Sequence, residues 1–291
     1  MELFDNEFKK WVEKHVHDNV TALRLRHASA SPEIKEAVSQ IEYRQKAADK
    51  FMKCRQPGGG AETVECSFAP QWFPTALSVE QASSATVACF HAAVVAPLRS
   101  LLDMTMGLGV DAAAIATLDG AEVTAIERDS RLCLFAKENY RDIANMKIIN
   151  ADSVEWLRST DRMFDWIFID PARRDDIGRR VYNIHDCTPD VAEILPLMLT
   201  HARDVLVKLS PMLDISATIA DLRHVRKVCI VEERGDVREL LAHISRDVES
   251  DSDSTEIEAV SVDWKFSFTR AQEAAAAERY AEPVSYTHLT L

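Results

Sequence analysis

Apolar residues recur at helical spacing near the start of the chain, at Phe8, Trp11, Val12 and Val16, and again through PEIKEAVSQIEYRQKAADKFMK. Ser31 followed by Pro32 fits a capped helix start, because proline in the first helical position gives up an N–H that has no partner there anyway. A small helical region is expected over 1–56. The segment QPGGGAETVECSFAPQWFPTALS then gathers three consecutive glycines and three prolines, so residues 57–77 are expected to be a linker. After it, SVEQASSATVACFHAAVVAPL predicts a helix with Ser78 as its N-cap.

From there the pattern changes to short apolar runs alternating with amphipathic segments. The runs are LRSLLDM, AEVTAIE, MKIINAD, FDWIFIDP and DVLVKLSP, with VRKVCIVEE and EIEAVSVDW as two later strands. Seven strands with crossover helices predict an α/β, Rossmann-like, doubly wound sheet over 78–263, whose ligands sit at the carboxyl ends of the strands.

Composition narrows the class. A chain of 291 residues that is 47% hydrophobic can bury a substantial core. It has no stretch of eighteen uncharged apolar residues, and its opening MELFDNEFKKWVEKH carries charges where a signal peptide needs an apolar run. The expectation is a soluble, cytoplasmic protein with no membrane partner. Cysteines at 54, 66, 89, 133, 187 and 229 form no CxxC pair and the histidines no HxxxH pair, so no metal site is expected. A net charge of −13 excludes coating of nucleic acid by bulk electrostatics, while leaving room for a local basic patch. Arg44, Lys46, Lys50, Lys53 and Arg55 cluster at the end of the helical region, as a solvated face or a grip on RNA. Residues 249–258 hold five acids and no base and read as a solvated loop.

The candidate chemistry lies at the strand ends. The first strand runs into Asp103-Met-Thr-Met-Gly107-Leu-Gly109, where glycine lets the backbone turn tightly beside a ligand. The second ends in Glu127, 18 residues after Gly109, placed to accept from ribose hydroxyls. Asp152 follows the third and can accept from an adenine amine. The fourth ends in Asp170-Pro171-Ala172-Arg173-Arg174. Each acid has a plain alternative as a helix cap or turn residue. Four on successive strand ends converge on one crevice and repel one another unless donors or positive charge lie among them. S-adenosylmethionine (SAM) supplies a sulfonium, an ammonium, two hydroxyls and an adenine amine. GLGVDA also satisfies the GxGxxA dinucleotide pattern, so an NAD-dependent oxidoreductase is the first alternative, and a non-catalytic SAM- or RNA-binding module the second.

The segments QIEYRQKAADKF, LSVEQASSATVA, DMTMGLGVD, IFIDPARR and KLSPMLDI resemble those of class I SAM-dependent methyltransferases, within them RNA methyltransferases with a helical N-terminal region and a THUMP-like C-terminal domain. The chain has Met106-Gly107 where that family has a glycine pair. The resemblance implies that Asp103, Gly107 and Gly109, with Thr105 among them, hold the methionine part of SAM, that Glu127 holds the ribose and that Asp152 meets the adenine. It implies that Asp170 and Pro171 face the acceptor, a nitrogen of a base in rRNA or tRNA. DPAR is similar to the DPPY-like motif of amino-group methyltransferases, with Ala172 and Arg173 in place of the second proline and the aromatic. Ser210 stands where C5-pyrimidine methyltransferases carry a nucleophilic cysteine, which disfavours that chemistry, and Cys187 is expected to be an ordinary helix residue. Arg173 and Arg174, with Arg179 and Arg180 beyond, could bind RNA phosphates or pair with Asp175 and Asp176. FSFTRAQEAAAAERYAEP resembles the lead into the THUMP-like domain, so 264–283 is expected to open a truncated C-terminal domain. VSYTHLTL over 284–291 resembles a translated library adapter and is expected to be non-native.

Overall fold

The computed structural model describes residues 2–55, 63–173, 184–248 and 252–276. Helices α1 (Asn6–His15), α2 (Val20–Arg26) and α3 (Pro32–Phe51) form the N-terminal region. Asp5 and Asn19 cap the first two by accepting from Phe8 N and Ala22 N. Ser31 stands at the N-cap of α3 with Pro32 behind it, but its side chain makes no capping bond. The periodic residues Phe8, Val12, Leu23, Ala37, Val38 and Ile41 close on one another and on Trp72 and Phe135. Trp72 belongs to the glycine- and proline-rich segment and Phe135 to α7 (Ser130–Asn139), a helix of the sheet region, so one apolar cluster joins the two regions.

That segment is a packed strap, with Phe68, Trp72 and Phe73 buried. Lys53–Arg55 and Thr63–Glu65 pair as an antiparallel hairpin at its base. Two side-chain amides then hold its backbone in place of a neighbouring strand. Gln40, fully buried on α3, donates to Phe73 O at 2.7 Å and accepts from Phe73 N at 3.0 Å. Asn139 donates to Trp72 O at 2.8 Å and accepts from Trp72 N at 2.9 Å. The helix expected after the strap is two helices, α4 (Ala76–Gln81) and α5 (Ala85–Val95). Ser78 is not the N-cap: Thr75 is, with Ser78 as the reciprocal partner of its capping box, and Ser84 caps α5.

All seven expected strands form, and two more join them. They are β1 (Ser100–Asp103), β2 (Glu122–Glu127), β3 (Met146–Asn150), β4 (Phe164–Ile169), β5 (Ala202–Leu209), β6 (Val225–Glu233), β7 (Asp236–Ser245), β8 (Glu256–Val260) and β9 (Lys265–Thr269). The spatial order is β3-β2-β1-β4-β5-β7-β6-β8-β9. Strands β1 to β5 are mutually parallel, β7 runs antiparallel between β5 and β6, and β9 closes the edge antiparallel to β8. β7 escapes the alternation rule because it follows β6 through a two-residue turn, Arg234-Gly235, with both residues at positive φ and no crossover helix. Residues 265–269, expected to open a further domain, pair with β8 as part of this sheet. The acidic run is not all loop: Glu256 and Glu258 lie in β8, and buried Glu258 pairs with Lys227 at 2.8 Å and with Lys265. Cys187 lies in a two-residue strand paired with Ala172–Arg173, not in a helix.

Helices cover both faces of the sheet. α5, α6 (Val110–Ala116) and the end of α3 pack one face against Leu101, Trp166, Phe168, Leu206 and Leu241. α8 (Ser153–Ser159), α9 (Val191–His201) and α10 (Ile215–Leu222) pack the other, against Leu102, Ile167, Ile169, Val205 and Val207. The period-two alternation of β4 and β5 thus has a fixed sense at each position. Among the described residues no helix is long and apolar enough to cross a membrane.

Replacing Gln40 with leucine keeps its volume and leaves Phe73 N and O buried without partners. Urea unfolding of Gln40→Leu is expected to show a loss of about 2 kcal/mol or more. A loss below about 0.5 kcal/mol would show that water or side-chain shifts replace both bonds.

Candidate active site

The site sits where β1, β2, β4 and β5 end on one edge. Asp103 closes β1 on the α5/α6 face and is 1% exposed. Its Oδ1 accepts from Thr105 N at 2.9 Å. Burial raises its carboxyl well above the ordinary value, and the nearby charges of Asp111, Asp170 and Glu127 add to the rise. Gly107 and Gly109 follow in left-handed conformations, φ 57° and 86°. Gly107 N donates to Glu127 Oε2 at 2.9 Å and Asp129 N to Glu127 Oε1 at 2.8 Å, so the acid ending β2 ties the glycine loop to its own turn. Met106, which the sequence places where a glycine was expected, is buried and bonds through its N–H to Ile126 O at 3.0 Å.

Thr105 reaches the next strand end, its Oγ1 accepting from Asp170 N at 2.6 Å. Asp103, Thr105, Gly107, Glu127 and Asp170 are thus brought together by direct bonds or mutual charge, and Gly109 follows in the same loop, its N–H donating to Met106 O at 2.9 Å. Asp152 stands one strand further out, capping α8 through Oδ1 with bonds of 3.0 Å to Val154 N and Glu155 N. Both bonds fall on one oxygen of its carboxylate. Pro171 is buried beside Asp170. Arg173 is described only for its backbone, paired with Cys187, and Arg174, Arg179 and Arg180 lie outside the described residues. Most of the N-terminal basic cluster is engaged internally: Arg44 pairs with Glu13 at 2.8 Å, Lys46 with Glu42 at 3.1 Å, and Arg55 with Asp263 at 2.5 Å. Lys50 donates to Val79 O and Glu80 O at 2.8 Å, and burial lowers its ammonium to about 8.

The sequence reading missed the groups packed behind Asp170. Register pairs Ile169 with Val207, so the next position on each strand sets Asp170 beside Lys208 on the α5/α6 face. Lys208 Nζ lies 2.8 Å from Asp170 Oδ2, 3.0 Å from Ser83 Oγ and 3.6 Å from Glu239 Oε2. Ser83 donates to Asp111 Oδ2 at 2.8 Å, Asp111 Oδ1 meets His91 Nδ1 at 2.8 Å, and His91 Nε2 meets Glu239. Burial alone would lower His91, but Glu239 and Asp111 on either side carry it up to about 10. Burial likewise opposes the ionised form of Asp111, and the His91 imidazolium still holds it down at about 2. The available signal was the lysine in VLVKLSP, a charge that interrupts the apolar run at the end of the strand.

No protein-family model matches the chain. Over 82 residues it is 38% identical to the ribosomal RNA small subunit methyltransferase J of Francisella tularensis subsp. novicida, a match covering 25% of this chain and 34% of that relative. The chain therefore spans about a third of the length of this curated relative. A crystal structure described as a "putative methyltransferase from Porphyromonas gingivalis W83" superposes with a TM-score of 0.77 at 25% identity, covering 97% of this chain and 70% of that one. The fold is that of the SAM-dependent methyltransferases. β8, the seventh of the expected strands, and β9 lie at the far edge of the sheet from β3.

A Cβ at Gly109 would lie 2.8 Å from the Tyr140 ring, at a φ that L residues rarely adopt. Gly109→Ala is expected to destabilise the fold by about 1–3 kcal/mol in chemical denaturation. An unchanged midpoint would mean that the loop holds no such backbone.

Proposed function

We propose that the chain is a SAM-dependent methyltransferase that transfers a methyl group to a nitrogen of an RNA base. The observation that carries this reading is the run of carboxylates Asp103, Glu127, Asp152 and Asp170 on successive strand ends, wrapped around a left-handed glycine loop. Support for the methyltransferase comes from the shared fold, and for the RNA from the relative named for ribosomal RNA.

The residues present suit SAM. Asp103, buried and short of positive charge, would take the ammonium, and the left-handed glycine loop would run beside the methionine chain. Glu127 would accept from the ribose and Asp152 from the adenine. When bound, SAM supplies an electrophilic methyl on a sulfonium. The protein's part is to hold the acceptor nitrogen in line with that methyl and to stabilise the positive charge that grows on nitrogen. Asp170 Oδ and the Pro171 carbonyl are the acceptors for the amine's protons. No covalent intermediate is required, in keeping with Ser210 at the end of β5. On the same reading Arg173 and Arg174 meet RNA phosphates, and the chain is related to methyltransferases that carry a THUMP-like domain.

Labelled-methyl incorporation into RNA, DNA, protein and small molecules, measured side by side under single turnover, tests the function. Label is expected in RNA; label only in another class overturns the substrate, and SAM binding without transfer to any class overturns the activity. In that assay Asp170→Asn is expected to keep SAM affinity and lose about 10²–10³-fold in turnover.

Asp103 makes cofactor affinity depend on pH. Its carboxyl is raised in the empty site, while the ligand's ammonium needs it ionised. Affinity is therefore full above the raised value and lost as pH falls through it. Calorimetry is expected to show this fall in the wild type and a flat profile in Asp103→Asn. Equal slopes in both would remove Asp103 from the ammonium site.

A further inference from the structure

We propose that Lys208 is the positioning residue of the acceptor site, its ammonium clamped in a closed ring of Ser83, Asp111, His91 and Glu239 so that the Asp170 carboxyl is held in one place. The inference rests on the reading of Asp170 as the group that meets the acceptor amine.

The ring is built from five parts of the chain. Ser83 precedes α5, His91 lies on α5, Asp111 on α6, Lys208 on β5 and Glu239 on β7. Each link is a hydrogen bond or ion pair, and the path returns to Lys208 through Glu239. An ammonium has three protons, and Asp170, Ser83 and Glu239 stand around it as three acceptors. Glu239 and Lys208 reach one another because Leu241 pairs with Lys208, which places residue 239 on the same face one step along β7.

Exposure separates this arrangement from an ion pair that serves stability alone. Side chains of the ring are almost closed off, His91 at 0%, Glu239 at 5%, Lys208 at 13% and Asp111 at 14%, whereas Asp170 is 39% exposed. The network opens to the cleft at that one carboxylate. Two cations, Lys208 and His91, face three anions, Asp111, Glu239 and Asp170, which leaves one negative charge at the mouth. Networks of this kind are seldom more stabilising than apolar packing, so the natural gain is in orientation. An exocyclic amine needs an acceptor that stays deprotonated, yet the surroundings of Asp170 raise its carboxyl. Lys208 is the contact that opposes this. The other charges facing the pair are Asp103 from β1, Asp111 from α6, Glu239 from β7 and His91 from α5, with Lys50 of α3, Glu233 and Arg238 further round. Lys50, outside the ring, donates to Val79 O and Glu80 O, and burial lowers its ammonium to about 8.

The test reads Asp170 directly. In protein labelled at aspartate carboxyl carbons, its resonance is identified by its loss in Asp170→Asn and followed through the acid-to-neutral range, whether or not any RNA is methylated. Lys208→Gln is expected to move the Asp170 midpoint up by about one to three pH units, and Lys208→Arg to return it toward the wild type. Glu239→Gln, which removes an opposing carboxylate, is expected to move it down and covers the case in which Lys208→Gln does not fold. Affinity for S-adenosylhomocysteine is expected to stay at the wild-type level in each folded variant. Unmoved midpoints in the variants that fold, or a loss of cofactor affinity in place of a shift, overturn the proposal. Failure of the methyltransferase reading shows separately, as a wild type that transfers no methyl while the Asp170 midpoints still move.

Discussion

Parallel strands that finish on one edge force their terminal side chains together, and in this chain those side chains are carboxylates. Negative charges cannot be left facing one another in a partly dry cleft without something to offset them. Each acid is dealt with differently. Glu127 accepts two backbone amides, one from the glycine loop and one from its own turn. Asp152 uses one oxygen to cap a helix. Asp170 takes a lysine ammonium. Asp103 has one amide and is otherwise buried among like charges, so its carboxyl is pushed toward the neutral form. The acid with the least compensation is the one best suited to a cationic ligand.

This arrangement depends on how the N-terminal helices and the strap are held. Phe8, Val12 and Leu23 pack on Trp72 and Phe135, while Gln40 and Asn139 bond the strap backbone on two sides. The strap leads directly into α4 and the turn carrying Ser83 and Ser84. Ser83 then bridges Lys208 and Asp111, and Ser84 donates to Glu233 at 2.8 Å. A helical region with no residue in the cleft therefore sets where one wall of the cleft lies. The basic residues at the end of α3 belong to this support, since most of them already hold acids or carbonyls of the chain.

The chemistry that follows is one of placement. Thr105 ties the β1 loop to Asp170 N, so a direct bond joins what are, on the proposed reading, the cofactor side and the acceptor side of the cleft. The buried ring behind Lys208 anchors the same carboxylate from the opposite direction. A methyl transfer gains from such rigidity because the reacting atoms must lie in line, and neither a nucleophile nor a metal need be supplied.

The sequence by itself determined the sheet class, the seven strands of the alternation, the positive-φ glycines and the acids at the strand ends. These are local signals: period-two apolar runs, glycine where a turn needs it, and a carboxylate at or just past the end of each run. Tertiary structure alone decided the rest. β7 was invisible because a strand inserted through a tight turn lacks the crossover helix that marks its neighbours. The strap passed for a linker because composition reports turn residues and not the amides of Gln40 and Asn139 that satisfy them. Lys208, Ser83, His91, Asp111 and Glu239 carry no shared motif, since they come from five separate parts of the chain. Only the parallel register of β4 and β5, and the antiparallel insertion of β7, bring a lysine, a histidine and three acids to one point, because pairing between distant strands is a property of the folded sheet and not of any stretch of sequence.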